Sequence, residues 1–114
     1  MNDIMKKRIV RASLVALLVS MPACVTPALA GISNTATALN SAVSGGQGNS
    51  ASGISSSVSG GYKNTASGKY AAVTGGSSNT ASANYASVSG GQNNTAKGES
   101  SSISGGAGNQ ATEM

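Results

Sequence analysis

The sequence lacks most of the side chains on which enzyme chemistry depends. Its 114 residues include no His, no Trp and no Phe, and they include a single Cys. The only carboxylate side chains are those of Asp3, Glu99 and Glu113. General acid–base catalysis and metal binding use chiefly His, Asp, Glu and Cys. The composition therefore predicts that the protein is not an enzyme and that it holds no metal ion or other cofactor.

Charge and glycine divide the chain into two unlike parts at residue 30. Both prolines and Cys24 precede this point, and all 16 glycines follow it. The formal net charge of +4 comes mainly from the first part, because residues 31–114 contain three lysines against two glutamates. Nucleic-acid binding requires clustered Lys and Arg on the folded part of a chain. We therefore expect no nucleic-acid partner.

Residues 1–30 have the organisation of a secretory signal peptide. A basic stretch precedes the apolar run 12–21, and Ala28-Leu29-Ala30 ends the segment. This is the order of charged region, apolar region and small-residue cleavage site in such leaders. The apolar run has about ten residues, whereas a membrane-spanning helix needs about 20. We expect the leader to be cleaved and the domain 31–114 to be exported without a membrane span.

Two details of the leader stay open in the sequence. Cys24 is either removed with the signal peptide, which leaves a mature chain without any thiol, or it is lipidated. The residues before it, Met21 and Pro22, match bacterial lipidation sites poorly, so removal is the expected outcome. Met5 is an alternative start to Met1, because the residues after Met5 form a more compact basic region.

The mature segment repeats every 15 residues. Gly, Ser, Ala, Asn and Thr make up 64 of its 84 residues, a composition that by itself indicates a flexible linker. The fixed register indicates a repeat architecture instead. Asn recurs at 34, 49, 64, 79, 94 and 109, and Ala recurs at 36, 51, 66, 81, 96 and 111. Gly-Gly pairs begin at 45, 60, 75, 90 and 105, each two residues after a Val or Ile.

A unit of this length predicts an all-β fold, a parallel β-solenoid of about five 15-residue coils. Ser57-Val58-Ser59 and Thr65-Ala66-Ser67 alternate polar and apolar residues, which is the period of a half-buried strand. Gly60-Gly61 and Gly68 separate the two short strands, and glycine permits the positive φ that sharp corners require. Residues 31–114 contain no proline, so each strand amide can join a ladder.

The same alternation predicts which columns of side chains face inward. Val and Ala from the two strands form the core, and Asn lies at a corner. Asn forms a ladder whose amides bond to the next coil, as in cross-β assemblies, or it is a left-handed corner residue. Because the core is so thin, a single rod should have only marginal stability, and we therefore expect a homo-oligomer. The expected structural columns are Asn49, Asn64, Asn79 and Asn94; Val58, Val73 and Val88; and Ala66, Ala81 and Ala96.

Residues 57–70, S-V-S-G-G-Y-K-N-T-A-S-G-K-Y, and their copies over 42–112 resemble the YadA-like head repeats of trimeric autotransporter adhesins, also called haemagglutinin-type repeats. The resemblance implies a left-handed parallel β-roll. It implies a homotrimeric head that is displayed on the outer membrane of Gram-negative bacteria as a virulence factor. Such a head binds host matrix or cell-surface molecules and promotes autoagglutination.

The chain departs from the family pattern in two ways. The family's more usual unit has Ile where Gly60, Gly75, Gly90 and Gly105 stand, which makes the core thinner here. No coiled-coil stalk or barrel anchor follows the repeats within the 114 residues. We expect the chain to be a fragment of a longer surface adhesin or a short secreted relative.

The candidate ligand-facing residues are the tyrosines and a neighbouring lysine. Tyr70 and Tyr85 lie one repeat apart, so that their rings can stack, and Lys69 precedes Tyr70. Tyr62 belongs to a different column. Such residues contact a sugar or protein ligand, or they cover the corner, or they pack between chains.

Two other functions stay open in the sequence. The rank formed by Thr35, Thr65, Thr80 and Thr95 is interrupted by other residues, but it is compatible with an ice-binding β-solenoid. Ice binders more often have paired Thr ranks. The third alternative is a low-complexity exported linker without a fixed fold.

Overall fold

The strands of this protein are only two residues long, and each coil of the chain contributes two of them. The computed structural model describes residues 33–113; the predicted signal peptide and Cys24 lie outside this range. The described residues are all-β. Their strands are β1 (Thr35–Ala36), β2 (Ala42–Val43), β3 (Ser50–Ala51), β4 (Ser57–Val58), β5 (Thr65–Ala66), β6 (Ala72–Val73), β7 (Thr80–Ala81), β8 (Ser87–Val88), β9 (Thr95–Ala96), β10 (Ser102–Ile103) and β11 (Gln110–Ala111).

The strands form two parallel sheets in which each residue pairs with its equivalent 15 positions along the chain. Sheet 1 contains the six odd-numbered strands in chain order, and sheet 2 contains the five even-numbered strands. Thr65 of β5 pairs with Thr80 of β7, and Val58 of β4 pairs with Val73 of β6. The fold is therefore a β-solenoid of about five coils, as the 15-residue register predicts.

The core lies between the two sheets and consists almost entirely of Val and Ala. Sheet 2 contributes one β-branched residue from each coil, and sheet 1 contributes one alanine. Both kinds of side chain are small, so each coil buries little apolar area and the stability depends strongly on backbone hydrogen bonds. The buried apolar residues are Val43, Val58, Val73, Val88 and Ile103; Ala51, Ala66, Ala81 and Ala96; and Ala71 and Ala86.

A ladder of buried asparagines holds successive coils together. The Nδ2 of Asn64 donates to the carbonyl of Gly60 in its own coil at 2.9 Å and to that of Gly76 in the next coil at 3.0 Å. The Oδ1 of Asn64 accepts the backbone N–H of Asn79 at 2.9 Å. The ladder thus links side chains to backbone, and its members do not adopt the left-handed corner conformation. The fully buried members are Asn49, Asn64, Asn79 and Asn94.

The left-handed backbone conformation occurs in three other columns. Gly61 adopts it with a φ of 91°, as expected for a glycine corner, whereas Gly60 and Gly68 do not. At Gly68 the constraint is close approach, because a Cβ there would overlap the backbone carbonyl of Ala83 in the next coil. The corner beyond Gly68 is turned by Tyr70, which has a φ of 58°. The expectation that Gly68 supplies a positive φ is therefore wrong.

Replacing one ladder member should destabilise the whole solenoid. Asn79→Ala removes the bonds to the Gly75 and Gly91 carbonyls and leaves the buried N–H of Asn94 without its acceptor. Because unsatisfied buried groups are costly, we expect a loss of about 3 kcal/mol in the free energy of unfolding, measured by urea denaturation followed by circular dichroism. The matched control is Asn84→Ala. The Oδ1 of Asn84 accepts the Lys69 N–H at 3.1 Å in an exposed setting, so that its loss should change the free energy of unfolding by less than about 1 kcal/mol. Equal effects of the two variants would contradict the ladder.

The paired glycines provide a second test, because their two positions differ in structure. A Cβ at Gly76 would overlap the Gly91 carbonyl, and the backbone there has a φ of 87°. At Gly75 a Cβ would meet no atom within 4 Å. Gly76→Ala should therefore lower the free energy of unfolding by about 2 kcal/mol or more. Gly75→Ala should leave it within about 1 kcal/mol. Thermal unfolding of both variants distinguishes these outcomes, and a reversed order would exclude this packing.

Candidate binding surface

The solenoid presents four outer surfaces, namely the faces of its two sheets and the two edges where the chain passes between them. We call the passage from sheet 1 to sheet 2 the tyrosine edge, and the return passage the glycine edge. The tyrosine edge comprises residues 39–40, 54–55, 69–70, 84–85 and 99–100. The glycine edge comprises residues 45–48, 60–63, 75–78, 90–93 and 105–108.

The outer face of sheet 1 carries two parallel columns of mostly hydroxyl side chains. They flank the inward alanine column, because neighbouring residues of a strand point to opposite faces. One column is Thr35, Ser50, Thr65, Thr80, Thr95 and Gln110. The other is Thr37, Ser52, Ser67, Ser82, Lys97 and Thr112. The hydroxyl ranks are therefore paired, and Lys97 is the one charged residue among them.

The outer face of sheet 2 is uncharged and consists of small residues. No position of its two columns, in the coils that the structure describes, holds an ionisable or large side chain. Ser87 and Ser102 join neighbouring coils through their hydroxyls, which lie 3.2 Å apart. The columns are Ala42, Ser57, Ala72, Ser87 and Ser102, and Ser44, Ser59, Thr74, Ser89 and Ser104.

The tyrosine edge brings together three of the four predicted ligand-facing residues. The rings of Tyr70 and Tyr85 stack with their centroids 5.2 Å apart and their planes 15° from parallel. The Nζ of Lys69 lies 5.2 Å from the centroid of the Tyr70 ring, within the range of a cation–π contact. The side chains form a rigid aromatic group with one adjacent positive charge.

The backbone of this edge gives the tyrosines an unusual setting. Tyr70 and Tyr85 have φ values of 58° and 59°, a left-handed conformation that bulky residues seldom adopt. Their N–H groups donate to the carbonyls of Ile54 at 2.9 Å and Lys69 at 2.8 Å, in the preceding coils. Other coils turn the same corner with residues such as Ser55. The fold therefore does not require tyrosine at these positions.

Two further exposed residues on the tyrosine edge are not among the predicted ligand-facing residues. Leu39 and Ile54 occupy the column that holds Lys69 in the next coil. They are about as exposed as the tyrosines, with values for all four side chains from 46% to 55%. Their spacing of 15 residues shows in the sequence that the two residues share a column. The sequence does not show that this column lies on the outside of the solenoid.

Tyr62 lies apart from this group, on the glycine edge. Its column forms isolated bridges with Gln47 and Ser77 in the neighbouring coils. The Nζ of Lys63 lies 5.1 Å from its ring centroid. Tyr62 and Lys63 thus repeat the chemistry of Tyr70 and Lys69 without an apolar neighbour in the same column.

The described residues show no arrangement typical of a metal centre or a membrane span. Across residues 33–113, no three His, Cys, Asp or Glu side chains converge. The same stretch contains no helix that is long and apolar enough to cross a bilayer.

No family model, curated protein or solved structure matches this chain. The resemblance to YadA-like head repeats therefore depends on the repeat residues themselves.

Removing an edge tyrosine should leave the fold intact. Tyr70→Asn loses the stacking with Tyr85, which contributes about 1 kcal/mol. It gains from the better tolerance of Asn for a positive φ, the conformation of Asn40 in the same column. We expect the free energy of unfolding to stay within about 1 kcal/mol of the wild-type value, measured by urea denaturation. A loss as large as that expected for Asn79→Ala would mean that the tyrosine is structural.

Proposed function

We propose that the protein is an exported adhesin head of the YadA-like type, which binds host matrix or cell-surface molecules and promotes autoagglutination. The observation that supports this most directly is the repeated outer surface, in which equivalent hydroxyl side chains recur from coil to coil on a fixed backbone. A surface of this kind favours attachment over chemical transformation. The proposed role is non-enzymatic.

The repeated surface makes attachment a sum of many weak contacts. Thr65 and Thr80 pair in register through β5 and β7, and neighbouring strands lie about 4.8 Å apart. A ligand that also repeats along its length can contact several coils at once. Linked contacts raise the overall affinity far above that of any one of them. No single residue then has to act as a binding hot spot.

We propose that the chain assembles as a homotrimer through the outer face of sheet 2. This face lacks charge and large side chains in the described coils, so that backbones of neighbouring chains can approach closely. Ala42 and Ala72 are partly buried within the chain and add apolar area there. Trimer formation would bury these small side chains and the backbone between them, and it would leave sheet 1 and the tyrosine edge for the ligand.

The proposed location follows from the leader and from the resemblance. A cleaved signal peptide at residues 1–30 would export the repeats. Within a longer adhesin they would be displayed at the bacterial outer membrane, and otherwise they would be secreted. The ordered solenoid over residues 33–113 argues against the alternative of a linker without a fixed fold.

A second candidate function, ice binding, is favoured by one observation. The hydroxyl columns of sheet 1 are paired, as in Thr35 with Thr37 and Thr65 with Ser67. Ice-binding β-solenoids more often have paired ranks than a single Thr rank, and sheet 1 has two parallel ranks of hydroxyl side chains. Lys97 and Gln110 interrupt the pattern at the C-terminal end, which favours adhesion over ice binding.

The proposal can be tested with the exported product of the full chain. Its mass from light scattering should be that of a trimer, and it should bind immobilised matrix proteins or cultured host cells. Ser89→Lys on sheet 2 places a charge in the proposed interface. We expect this variant to be monomeric and to bind roughly tenfold to a hundredfold more weakly through lost multivalency.

The matched control for this variant is Ser82→Lys on sheet 1. Its column already contains Lys97, so the fold tolerates the substitution. This variant should stay trimeric. Thermal hysteresis with shaped ice crystals, without binding to cells or matrix, would favour the ice-binding alternative. A monomeric wild type that binds nothing would contradict the adhesin proposal.

A further inference from the structure

The large exposed apolar side chains of the described residues are concentrated on one edge. Four of the five lie on the tyrosine edge, and only Tyr62 lies elsewhere. Single exposed apolar residues are normal on soluble proteins, but an aligned group marks an interaction site. The four on this edge are Leu39, Ile54, Tyr70 and Tyr85.

These four side chains form a row along four consecutive coils, with Leu39 and Ile54 in one column of the edge and Tyr70 and Tyr85 in the adjacent column. At about 4.8 Å per coil, the row is about 14 Å long from its first member to its last. Backbone hydrogen bonds fix each coil on the one before it, including Ser55 N–H to the Leu39 carbonyl at 2.8 Å and Tyr70 N–H to the Ile54 carbonyl at 2.9 Å. The row lies where the chain turns from sheet 1 to sheet 2, and we call it the ridge.

The ridge is not explained by the stability of the fold. Leu39 and Ile54 occupy a column in which later coils have Lys69, Asn84 and Glu99. The tyrosines occupy a left-handed position that serine fills in other coils. The fold thus accepts polar residues in both columns. The apolar residues expose apolar surface to water, which is unfavourable. Their presence in four consecutive coils points to a partner.

The chemistry of the ridge matches the interfacial region of a lipid bilayer. Leu and Ile supply aliphatic groups that gain from contact with acyl chains. Tyrosine has an apolar ring and a polar hydroxyl, and it is enriched where membranes meet water. The Nζ of Lys69 lies beside the Tyr70 ring, where it can contact phosphate groups while the rings insert.

The charge around the ridge favours an anionic lipid surface. The described residues contain two carboxylate side chains, and neither lies in the four coils that hold the ridge: Glu99 lies on the tyrosine edge in the coil after Tyr85, and Glu113 lies in the last described coil. Lys69 is the one charged side chain on the tyrosine edge within those four coils. Basic residues near a membrane are attracted by the negative potential of its anionic lipids.

Other partners fit the ridge less well. A stable protein–protein interface buries about 800 Å² on each partner, whereas this ridge consists of only four half-exposed side chains. A sugar ligand would use the hydroxyls and amides of its site, and Leu39 and Ile54 offer it no hydrogen bond. Binding to a lipid surface requires only exposed apolar side chains with polar groups beside them.

We propose that the tyrosine edge inserts Leu39, Ile54, Tyr70 and Tyr85 into the interface of an anionic lipid bilayer. The proposal rests on the attachment function proposed above and narrows the partner of this edge to a membrane surface. Insertion by one chain would be weak and reversible, because only half of each side chain is available to lipid. Several chains in one assembly would bind more tightly through multivalency.

The experiment measures binding of the exported full-chain product to vesicles by flotation. The vesicles consist of phosphatidylcholine alone or with roughly one third phosphatidylserine, and binding should be stronger to the anionic set. The ridge variant combines Leu39→Asn, Ile54→Asn, Tyr70→Ser and Tyr85→Ser, which are residue types already present in the two columns. It should lose at least roughly tenfold in vesicle affinity.

The matched control is Tyr62→Ser, which removes the tyrosine of the opposite edge. Tyr62 has comparable exposure and a comparable lysine contact, but no apolar row. It should change vesicle affinity by less than about twofold. Circular dichroism establishes that each variant retains the β-solenoid, so that loss of binding is not loss of fold.

Three outcomes would overturn the membrane proposal. These are wild-type protein that does not float with either vesicle, a ridge variant that floats as well as wild type, or equal losses in the ridge and Tyr62 variants. Binding to host cells or matrix without any binding to vesicles would overturn it while leaving the attachment function in place. Failure to bind cells, matrix and vesicles alike would overturn both.

Discussion

The structure depends on one repeated interaction, the hydrogen bonding of a buried asparagine to two successive coils. Strands of two residues are too short to fix the register between coils. The small side chains of a Val and Ala core do not specify this register either. The asparagine amide supplies the specificity. The Nδ2 of Asn64 reaches carbonyls in its own coil and the next, and its Oδ1 accepts the N–H of Asn79. A coil displaced by one residue would break all three bonds and bury unsatisfied polar groups.

The glycine pairs are the counterpart of this ladder. The carbonyls of Gly60 and Gly76 accept from the Asn64 amide, and the left-handed φ of Gly76 belongs to the turn that presents its carbonyl. Asn and Gly-Gly therefore recur together because they form one structural unit. The same regularity places the outer columns in register, which gives the two sheet faces and the two edges their distinct chemistry.

Most of the fold could be predicted from the sequence, because a 15-residue period states directly which residues lie above one another. It also places Val58 and Ala66 inside and Ser57 and Ser67 outside. The period does not give the backbone conformation of each column. The corner at Tyr70 therefore could not be assigned in place of Gly68, since a tyrosine in a left-handed conformation contradicts the usual preference for glycine.

The candidate surface was less predictable than the fold for a related reason. Tyr70, Tyr85 and Lys69 can be singled out as aromatic and charged residues in a polar sequence, whereas Leu39 and Ile54 are indistinguishable from core residues by type. Only the turn that places their column outside separates them from Val43 and Val58. The identity of a ligand is even less predictable from the sequence, because it depends on a partner whose chemistry must be complementary to several coils at once.

The closed pattern of asparagine bonds has a consequence for how such a chain can change in length. Each amide contacts only its own coil and the next, so removing or duplicating one complete unit restores the same bonds at the junction. Recombination between repeats can therefore shorten or lengthen the rod in steps of about 4.8 Å without redesigning any contact. A gain or loss of one residue within a strand would instead exchange interior and exterior side chains. The distance that the rod spans can therefore change by whole coils.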